Sequence, residues 1–238
     1  MQRTVYTKTL LGILLTASMP YVARAEKAAE RLQEAATVFQ EIMSAEDKGI
    51  PQDLIDKSQC VVIVPGVKKA AFVVGGKYGR GFITCRTPSN RNWGAPGAVR
   101  MEGGSIGWQI GGSESDIILL VMNDEGMRKL LDSKFTLDAD AGVAAGPVGR
   151  TAQASTDAQM HAKILSYSRS RGLFAGLAVG GATLRNDLDQ NKELYGKPLT
   201  NKEIAEGHVA PPAAFSSLRA ALNKYSRSEE GQQRTRKK

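Results

Sequence analysis

A serine flanked by glycines has the spacing of a catalytic motif. Ser105 lies within Gly103-Gly104-Ser105-Ile106-Gly107, which matches the G-x-S-x-G pattern of a hydrolase nucleophile. That motif needs a strand, a strained turn and a helix beneath the serine, whereas the residues after Ser105 are glycine-rich and strand-like. We therefore expect these glycines to shape a sheet, and a serine hydrolase at Ser105 is a remote alternative.

A second glycine-rich stretch, Gly75 to Gly81, resembles a phosphate-binding loop in composition only. It lacks the G-x-x-x-x-G-K-[ST] spacing and does not open a helix, so no helix dipole stands behind its amides. The sequence therefore argues against a nucleotide site, although the stretch could serve as a basic loop for a single phosphate. Aromatic residues are sparse among the basic ones, so a nucleic-acid surface is not expected either.

The two cysteines, Cys60 and Cys85, are candidates for a disulfide. A bridge would close a loop of about 25 residues and stabilise the fold by about 3 kcal/mol in the chain-entropy model. It requires Cα atoms within about 7 Å, so it forms if the strands that carry the cysteines are neighbours and fails if a third strand separates them. These cysteines with His161 and His208 give no zinc-ligand spacing, so neither a metal nor a cofactor is predicted.

The first 25 residues have the pattern of a cleavable signal peptide. Arg3 and Lys8 precede an apolar core, Leu10 to Ala17, and Ala23-Arg24-Ala25 is an A-x-A cleavage site. The apolar core is too short to span a bilayer. We therefore expect cleavage near Ala25 and a periplasmic or secreted protein that associates peripherally with membranes.

Positive charge is unevenly distributed along the chain. The formal charge of +8 becomes +5 once the three basic residues of the leader are removed. No acidic residue occurs from Lys57 to Met101 or from Ala158 to Asn186. Such asymmetry favours contact with an anionic surface, although solvated charge that balances across the folded surface is an equally good interpretation.

The hydrophobic pattern predicts one α+β domain over residues 26–226, followed by a disordered basic tail at 227–238. We expect a twisted, largely antiparallel sheet, barrel-like if strongly curled, covered by helices. Glu26 to Asp47 predicts an amphipathic N-terminal helix whose outer face is acidic, which favours core packing over contact with anionic lipid. Ile117 to Met122 predicts a strand buried on both faces, and Gly111 to Glu114 suggests a hairpin or a bulged bend between it and the Gly103 stretch.

Several boundaries follow from local signals. The pattern predicts a tight turn at Pro65-Gly66, a strand break at Gly79 to Gly81, a short edge strand at Val99 to Glu102, a polar turn at Ser168 to Arg171 and a helix at Leu184 to Tyr195.

Five stretches together resemble the SYLF domain family. They are Lys68 to Gly81, Trp93 to Pro96, Gly103 to Met122, Tyr167 to Gly181 and Asn191 to Gly196, spread over nearly the whole mature chain. The resemblance implies a non-enzymatic domain that binds phosphoinositide or other anionic lipid, with actin-associated adaptors among its eukaryotic members. In those members a basic amphipathic N-terminal segment assists, whereas the first predicted helix here is acidic.

Lipid binding would then fall to the basic loops. The candidate headgroup contacts and the candidate aromatic contacts with the acyl boundary are Lys68, Lys69, Lys77, Arg80, Arg169 and Arg171, with Phe174 and Trp93. Each basic residue near an anionic surface contributes about 1 kcal/mol, so four to six acting together would give micromolar binding. For any single residue, ordinary surface charge is the alternative interpretation.

The leading prediction is therefore an exported SYLF-type domain that binds an anionic phospholipid surface with phosphoinositide-like headgroups. The alternative is an envelope protein-interaction or scaffold module whose basic side meets an acidic partner. Export argues against nucleic acid and against cytosolic actin as partners.

Overall fold

The computed structural model describes ten stretches of the chain. They are residues 28–45, 49–72, 74–87, 92–106, 111–137, 142–149, 162–170, 173–176, 181–207 and 209–226. The leader at 1–25, the tail at 227–238, His161 and His208 lie outside them, so the predicted leader and tail stay predictions.

Six α-helices occur in the described stretches. They are α1 (Ala28–Ser44), α2 (Gln52–Lys57), α3 (Asp124–Leu131), α4 (Leu188–Tyr195), α5 (Asn201–Glu206) and α6 (Ser216–Tyr225), the last preceded by a 3-10 turn at Ala213–Phe215. Helix α1 buries its apolar stripe, including Leu32 and Phe39, and leaves Glu34 and Glu41 exposed. The prediction that this helix packs on the core is therefore confirmed.

The described strands form one sheet that curls into a half-barrel. They are β1 (Cys60–Phe72), β2 (Val74–Cys85), β3 (Gly97–Ile106), β4 (Gly111–Val121), β5 (Lys134–Thr136), β6 (Val143–Ala145), β7 (Ile164–Ser170), β8 (Leu173–Gly176) and β9 (Ala182–Asn186). Their order is β5-β9-β3-β2-β1-β4-β7-β6, and β8 also pairs with β7. Every described pairing except β6 with β7 is antiparallel, so the α+β class and the largely antiparallel sheet are confirmed.

The predicted hairpin at Gly111 to Glu114 is wrong. These residues begin β4, and β4 pairs with β1 and β7 instead of β3. Strands β1 and β2 lie between β3 and β4 in the sheet. Local turn chemistry therefore suggested a pairing that the longer β1–β2 hairpin prevents.

Both faces of the sheet are buried at its centre. In β4, Ile118 and Leu120 pack with α1, α2 and α6, whereas Ile117, Leu119 and Val121 pack with α3. This alternation confirms that the continuous apolar run is a strand covered on both sides. We call the two sides of the sheet the α1 face and the α3 face.

A bulge at Pro65–Gly66 replaces the predicted turn. Strand β1 gains one residue there relative to both neighbours and then continues to Phe72. Gly66 has φ +57°, the left-handed region that glycine enters without strain, and its N–H donates to Asp116 Oδ1 at 2.9 Å. On the facing strand, a Cβ on Gly81 would lie 2.0 Å from the carbonyl oxygen of Ile63. The glycines of β2 therefore do not break the strand; they let the bulged strand approach it.

Three other boundaries differ from the prediction. Val99 to Glu102 lies inside β3, between β2 and β9, and is no edge. Ser168 to Ser170 extends β7, and Leu184 belongs to β9, so the following helix begins only at Leu188. Asp187 caps that helix by accepting from the backbone N–H of Gln190.

Cys60 and Cys85 are register partners on the neighbouring strands β1 and β2. Their Cα atoms are 4.0 Å apart and their sulfurs are joined in a disulfide. Of the two arrangements left open by the sequence, the structure has the one without an intervening strand.

The close approach at the bulge predicts that alanine substitution destabilises the protein at one glycine of β2 and not at a glycine of the neighbouring strand β3. Gly81→Ala forces its Cβ against the backbone of Ile63 and Val64, so we expect unfolding free energy to fall by about 2–4 kcal/mol in urea denaturation. Gly104→Ala in β3 places its Cβ in open space and should change stability by less than about 0.5 kcal/mol. Equal stabilities for the two variants would contradict the close approach at the bulge.

Candidate functional site

The distal end of the β1–β2 hairpin carries three of the predicted lysines. Lys69 lies opposite Lys77 in the strand register, and Lys68 lies opposite Tyr78. Because successive residues of a strand point to opposite sides, Lys68 lies on the α1 face while Lys69 and Lys77 lie on the α3 face. The end of the hairpin is therefore basic on both faces. We call these three residues the hairpin lysines.

Two of the hairpin lysines, Lys68 and Lys69, are not neutralised by an ion pair within the described stretches. The register nevertheless sets the exposed Glu114 opposite Lys68. The side chain of Lys77 passes over Gly103 of β3. A Cβ atom added to Gly103 would lie 2.6 Å from Lys77 Cε. Two lysines directly opposite each other, as Lys69 and Lys77 are, repel, and a nearby anion would relieve that cost.

Arg80 does not belong to this surface. Its Nε lies 3.2 Å from Asp187 Oδ2 and donates to the Tyr78 hydroxyl at 2.6 Å. Burial lowers the pKa of Arg80, but the Tyr78 hydrogen bond and the attraction of Asp187 outweigh it and the pKa is raised. Arg80 lies within the strand β2 and not in the basic loop expected from the sequence, and it is already paired with a buried carboxylate; its headgroup contact stays a prediction.

Arg169 is likewise engaged inside the fold. Its Nε donates to Asp116 Oδ2 at 2.8 Å and its Nη1 pairs with Glu41 of α1. Burial lowers the pKa of Arg169, but hydrogen bonds to Glu41 and Asp116 and their charges raise it overall. Since Asp116 also accepts the N–H of Gly66, Arg169 connects the bulge to helix α1. These contacts give Arg169 a structural role, and its headgroup contact stays a prediction.

The two aromatic residues predicted to contact the acyl boundary pack within the fold, and their membrane contact stays a prediction. Trp93 is buried, with its indole N–H donating to Ser226 Oγ at 3.1 Å and the Arg86 guanidinium 4.2 Å from its ring centroid. Phe174 is half-buried and stacks on Tyr167 with ring centroids 5.5 Å apart. Neither ring is free to enter a bilayer in this conformation. Arg171 lies outside the described residues.

A buried polar network holds α4 and α5 against β3. Asn191 Oδ1 accepts from the N–H of Ala98 at 2.7 Å, and Asn201 Nδ2 donates to the Ala98 carbonyl at 3.0 Å. Asn191 Nδ2 also donates to Asn201 Oδ1 at 3.0 Å. The two asparagines therefore satisfy buried backbone groups of β3. Asn191 is also the first residue of one of the stretches that carry the family resemblance.

Nothing in the sequence indicated that Arg100 and Arg185 lie in register with Arg80 on neighbouring strands. Arg100 lies opposite Arg80 on one side and opposite Arg185 on the other. The acid-free segments of the sequence contain all three residues. Their alignment depends on the pairing of β9 with β3, which no local pattern specifies.

Within the described stretches, no helix combines the length and apolar character needed to cross a bilayer. Nor does any cluster of three histidine, cysteine or acidic side chains in that part of the chain have metal-binding geometry. Ser105 lies in β3 opposite Gly75, and the described strand runs to Ile106. The nucleophile-elbow interpretation is wrong because the serine lies within a strand and not on a strand-to-helix turn.

Comparison with known proteins identifies the class. The sequence model of a family described as "Ysc84: Las17-binding protein actin regulator" matches residues 102–225. LAS seventeen-binding protein 3 of Saccharomyces cerevisiae is 31% identical over 175 residues, 72% of this chain and 38% of the relative. SH3 domain-containing YSC84-like protein 1 of Rattus norvegicus is 32% identical over 206 residues, 85% of this chain and 59% of the relative.

The chain belongs to the Ysc84 family, whose domain is the SYLF domain. It spans about two-fifths to three-fifths of the length of these relatives. The family description names binding and regulation, and the name of the yeast relative names binding; neither names catalysis.

The structural role of Arg169 can be tested by Arg169→Gln. Because the change leaves half-buried Asp116 without its cationic partner, we expect a loss of about 1–3 kcal/mol in urea unfolding. The matched variant Arg128→Gln on the exposed side of α3 should change stability by less than about 0.5 kcal/mol. A fully stable Arg169→Gln protein would contradict this assignment.

Proposed function

We propose that the domain is a non-enzymatic module that binds anionic phospholipid surfaces through the distal end of the β1–β2 hairpin. The observation that carries this proposal is the position of the hairpin lysines on both faces of one hairpin end. The seven residues between Lys69 and Lys77 in sequence are Ala70 to Gly76, all apolar or glycine. A hairpin of this composition suits end-on contact, with ammonium groups at the headgroup level on either side.

The strength of such binding follows from the number of charges. Three lysines at about 1 kcal/mol each give about 3 kcal/mol, which is less than the four to six basic residues expected from sequence would supply. That sum corresponds to weaker than millimolar affinity if it acts alone. Apolar burial at the hairpin end, at about 1.5–3 kcal/mol for one large side chain, is therefore needed for stable attachment.

The cellular setting of the proposal rests on the leader. A cleavable signal peptide at residues 1–25 would send the domain to the periplasm or outside the cell, where it would associate peripherally with membrane. Phosphoinositide-like headgroups are the most highly charged members of the proposed ligand class, and phosphatidylserine is a convenient simple representative.

The test is flotation with phosphatidylcholine vesicles that contain or lack phosphatidylserine. We expect binding to the anionic vesicles at low salt, loss at high salt, and a decrease of up to about 100-fold in the triple variant Lys68→Gln/Lys69→Gln/Lys77→Gln. The charge-matched control is Lys192→Gln/Lys197→Gln/Lys202→Gln, which changes three exposed lysines near α4 and α5. Equal loss in both triple variants, or binding that ignores salt and lipid charge, would refute the hairpin as the contact.

The names of the relatives favour a second candidate, a protein-interaction or scaffold module. The family description names Las17 binding and actin regulation. The partners to test are therefore an acidic protein and, despite the predicted export, actin itself. Cosedimentation with filamentous actin and affinity capture from envelope extract, each with and without detergent, separate the candidates. A protein partner should persist after detergent disperses lipid, whereas lipid-mediated capture should disappear.

A further inference from the structure

Six polar residues of strands β2, β3 and β9 lie together on the α1 face of the sheet, in two rows that cross the three strands. Successive residues of a strand point to opposite sides, and Met101, Ala182 and Leu184, which alternate with the β3 and β9 members, are buried on the α3 face. In β2, Phe82 packs on the α1 face, and the two members of this strand lie two and four residues before it. We call the six residues the polar patch: Tyr78, Glu102 and Thr183 form one row, and Arg80, Arg100 and Arg185 form the other.

The polar patch is accessible from solvent. Tyr78 is 46% exposed, and the side chains of Arg100, Glu102 and Arg185 are 38%, 38% and 39% exposed. Neighbouring strands lie about 4.8 Å apart, and residues on the same side of one strand lie about 6.8 Å apart, so the patch measures roughly 10 by 7 Å. An area of this size matches one or two sugar rings laid flat on the sheet.

The Tyr78 ring is held in place by the residues behind it. Its hydroxyl accepts from Arg80 Nε at 2.6 Å, and the same Nε lies 3.2 Å from Asp187 Oδ2. Asp187 is buried and also caps α4, so these contacts connect the ring to the packed part of the fold. An aromatic ring that is already fixed in one orientation offers its apolar face to a ligand with little further loss of side-chain entropy.

Glu102 lies between two arginines of the polar patch. Arg100 Nε is 2.8 Å from Glu102 Oε1, and Arg185 Nε is 3.2 Å from Oε2. Neither Nε makes a hydrogen bond, because neither N–H is directed at the carboxylate. The carboxylate is therefore held by charge attraction and keeps its capacity to accept directed hydrogen bonds from a ligand.

The hydrogen-bonding groups of the polar patch favour hydroxyl groups over phosphate. Guanidinium groups only donate, the Glu102 carboxylate only accepts, and the Thr183 hydroxyl does both. A phosphate also only accepts, so a phosphate placed between the two arginines would lie against Glu102 with a like charge. Sugar hydroxyls donate and accept, so one hydroxyl can donate to Glu102 while its neighbour on the ring accepts from an arginine. The apolar face of the same ring can pack on Tyr78.

We propose that the polar patch binds a neutral saccharide, with Tyr78 as the platform for one sugar ring and with Glu102 and its two arginines as the hydrogen-bonding partners of the hydroxyls. The site uses different residues from the hairpin lysines and does not rest on the proposed membrane contact. Because the ligand is uncharged, salt should leave saccharide binding unchanged, whereas it should weaken the membrane contact.

Three neutral oligosaccharides test the proposal: maltotriose, cellotriose and N-acetylchitotriose. Each is titrated into the purified chain, and binding is followed by ligand-observed NMR and calorimetry at low and at high salt. We expect at least one of them to bind, with the same affinity at both salt concentrations. No binding by any of the three up to about 10 mM, or binding that high salt abolishes, would overturn the proposal.

Glu102→Gln has opposite expected effects on a saccharide and on an anion. The change replaces a charged acceptor with a neutral amide, so saccharide binding should weaken by about 10-fold. An anion held by the two arginines would instead bind more tightly, because the repelling carboxylate is gone. Unchanged or tighter saccharide binding in Glu102→Gln would contradict the proposed role of this carboxylate.

Tyr78 offers a matched pair of variants. Both Tyr78→Phe and Tyr78→Ala lose the hydrogen bond with Arg80, so the difference between them reports the ring alone. Tyr78→Phe should bind within about threefold of the unaltered chain, whereas Tyr78→Ala should bind about 5–10-fold more weakly. Thermal unfolding of each variant shows whether the exposed change leaves the fold intact.

Two control variants separate the polar patch from the rest of the surface. Arg128→Gln on α3, on the other side of the sheet, and the triple hairpin-lysine variant should both bind the saccharide as the unaltered chain does. Equal losses in Tyr78→Phe and Tyr78→Ala, or a loss in Arg128→Gln, would refute the Tyr78 platform. Loss of saccharide binding in the triple hairpin-lysine variant would refute a separate site, whereas loss of flotation alone in that variant concerns only the membrane proposal.

Discussion

The bulge at Pro65–Gly66 is the constraint on which the rest of the fold depends. It inserts one residue into the strand at the centre of the sheet, and the backbone beyond it is re-aimed without ending the strand. The bulge requires a residue with left-handed backbone at Gly66, glycines without side chains on the facing part of β2, and a carboxylate that accepts the N–H of Gly66. Arg169 holds that carboxylate and reaches Glu41 of α1, so helix and sheet are joined at the same point.

The bulge also separates two chemically different halves of the long hairpin. On one side, both sheet faces are apolar and covered by helices, and the disulfide joins β1 to β2. On the other side, the same two strands carry Lys68, Lys69, Lys77 and Tyr78, and Lys68 and Tyr78 are exposed. The half covered by helices therefore supports a half that presents lysines on both of its faces.

Local patterns in the sequence were sufficient for elements whose burial is complete. The run from Ile117 to Val121 indicated burial on both faces because no polar residue interrupts it, and the apolar stripe of Glu26 to Asp47 indicated the helix that the structure has at Ala28–Ser44. Patterns failed where partners were distant. Gly111 to Glu114 looked like a turn although it pairs with β1, and Arg169 looked like surface charge although Asp116, fifty-three residues away, holds it. Charge counts reveal an excess of cations, but only the register decides which ones align.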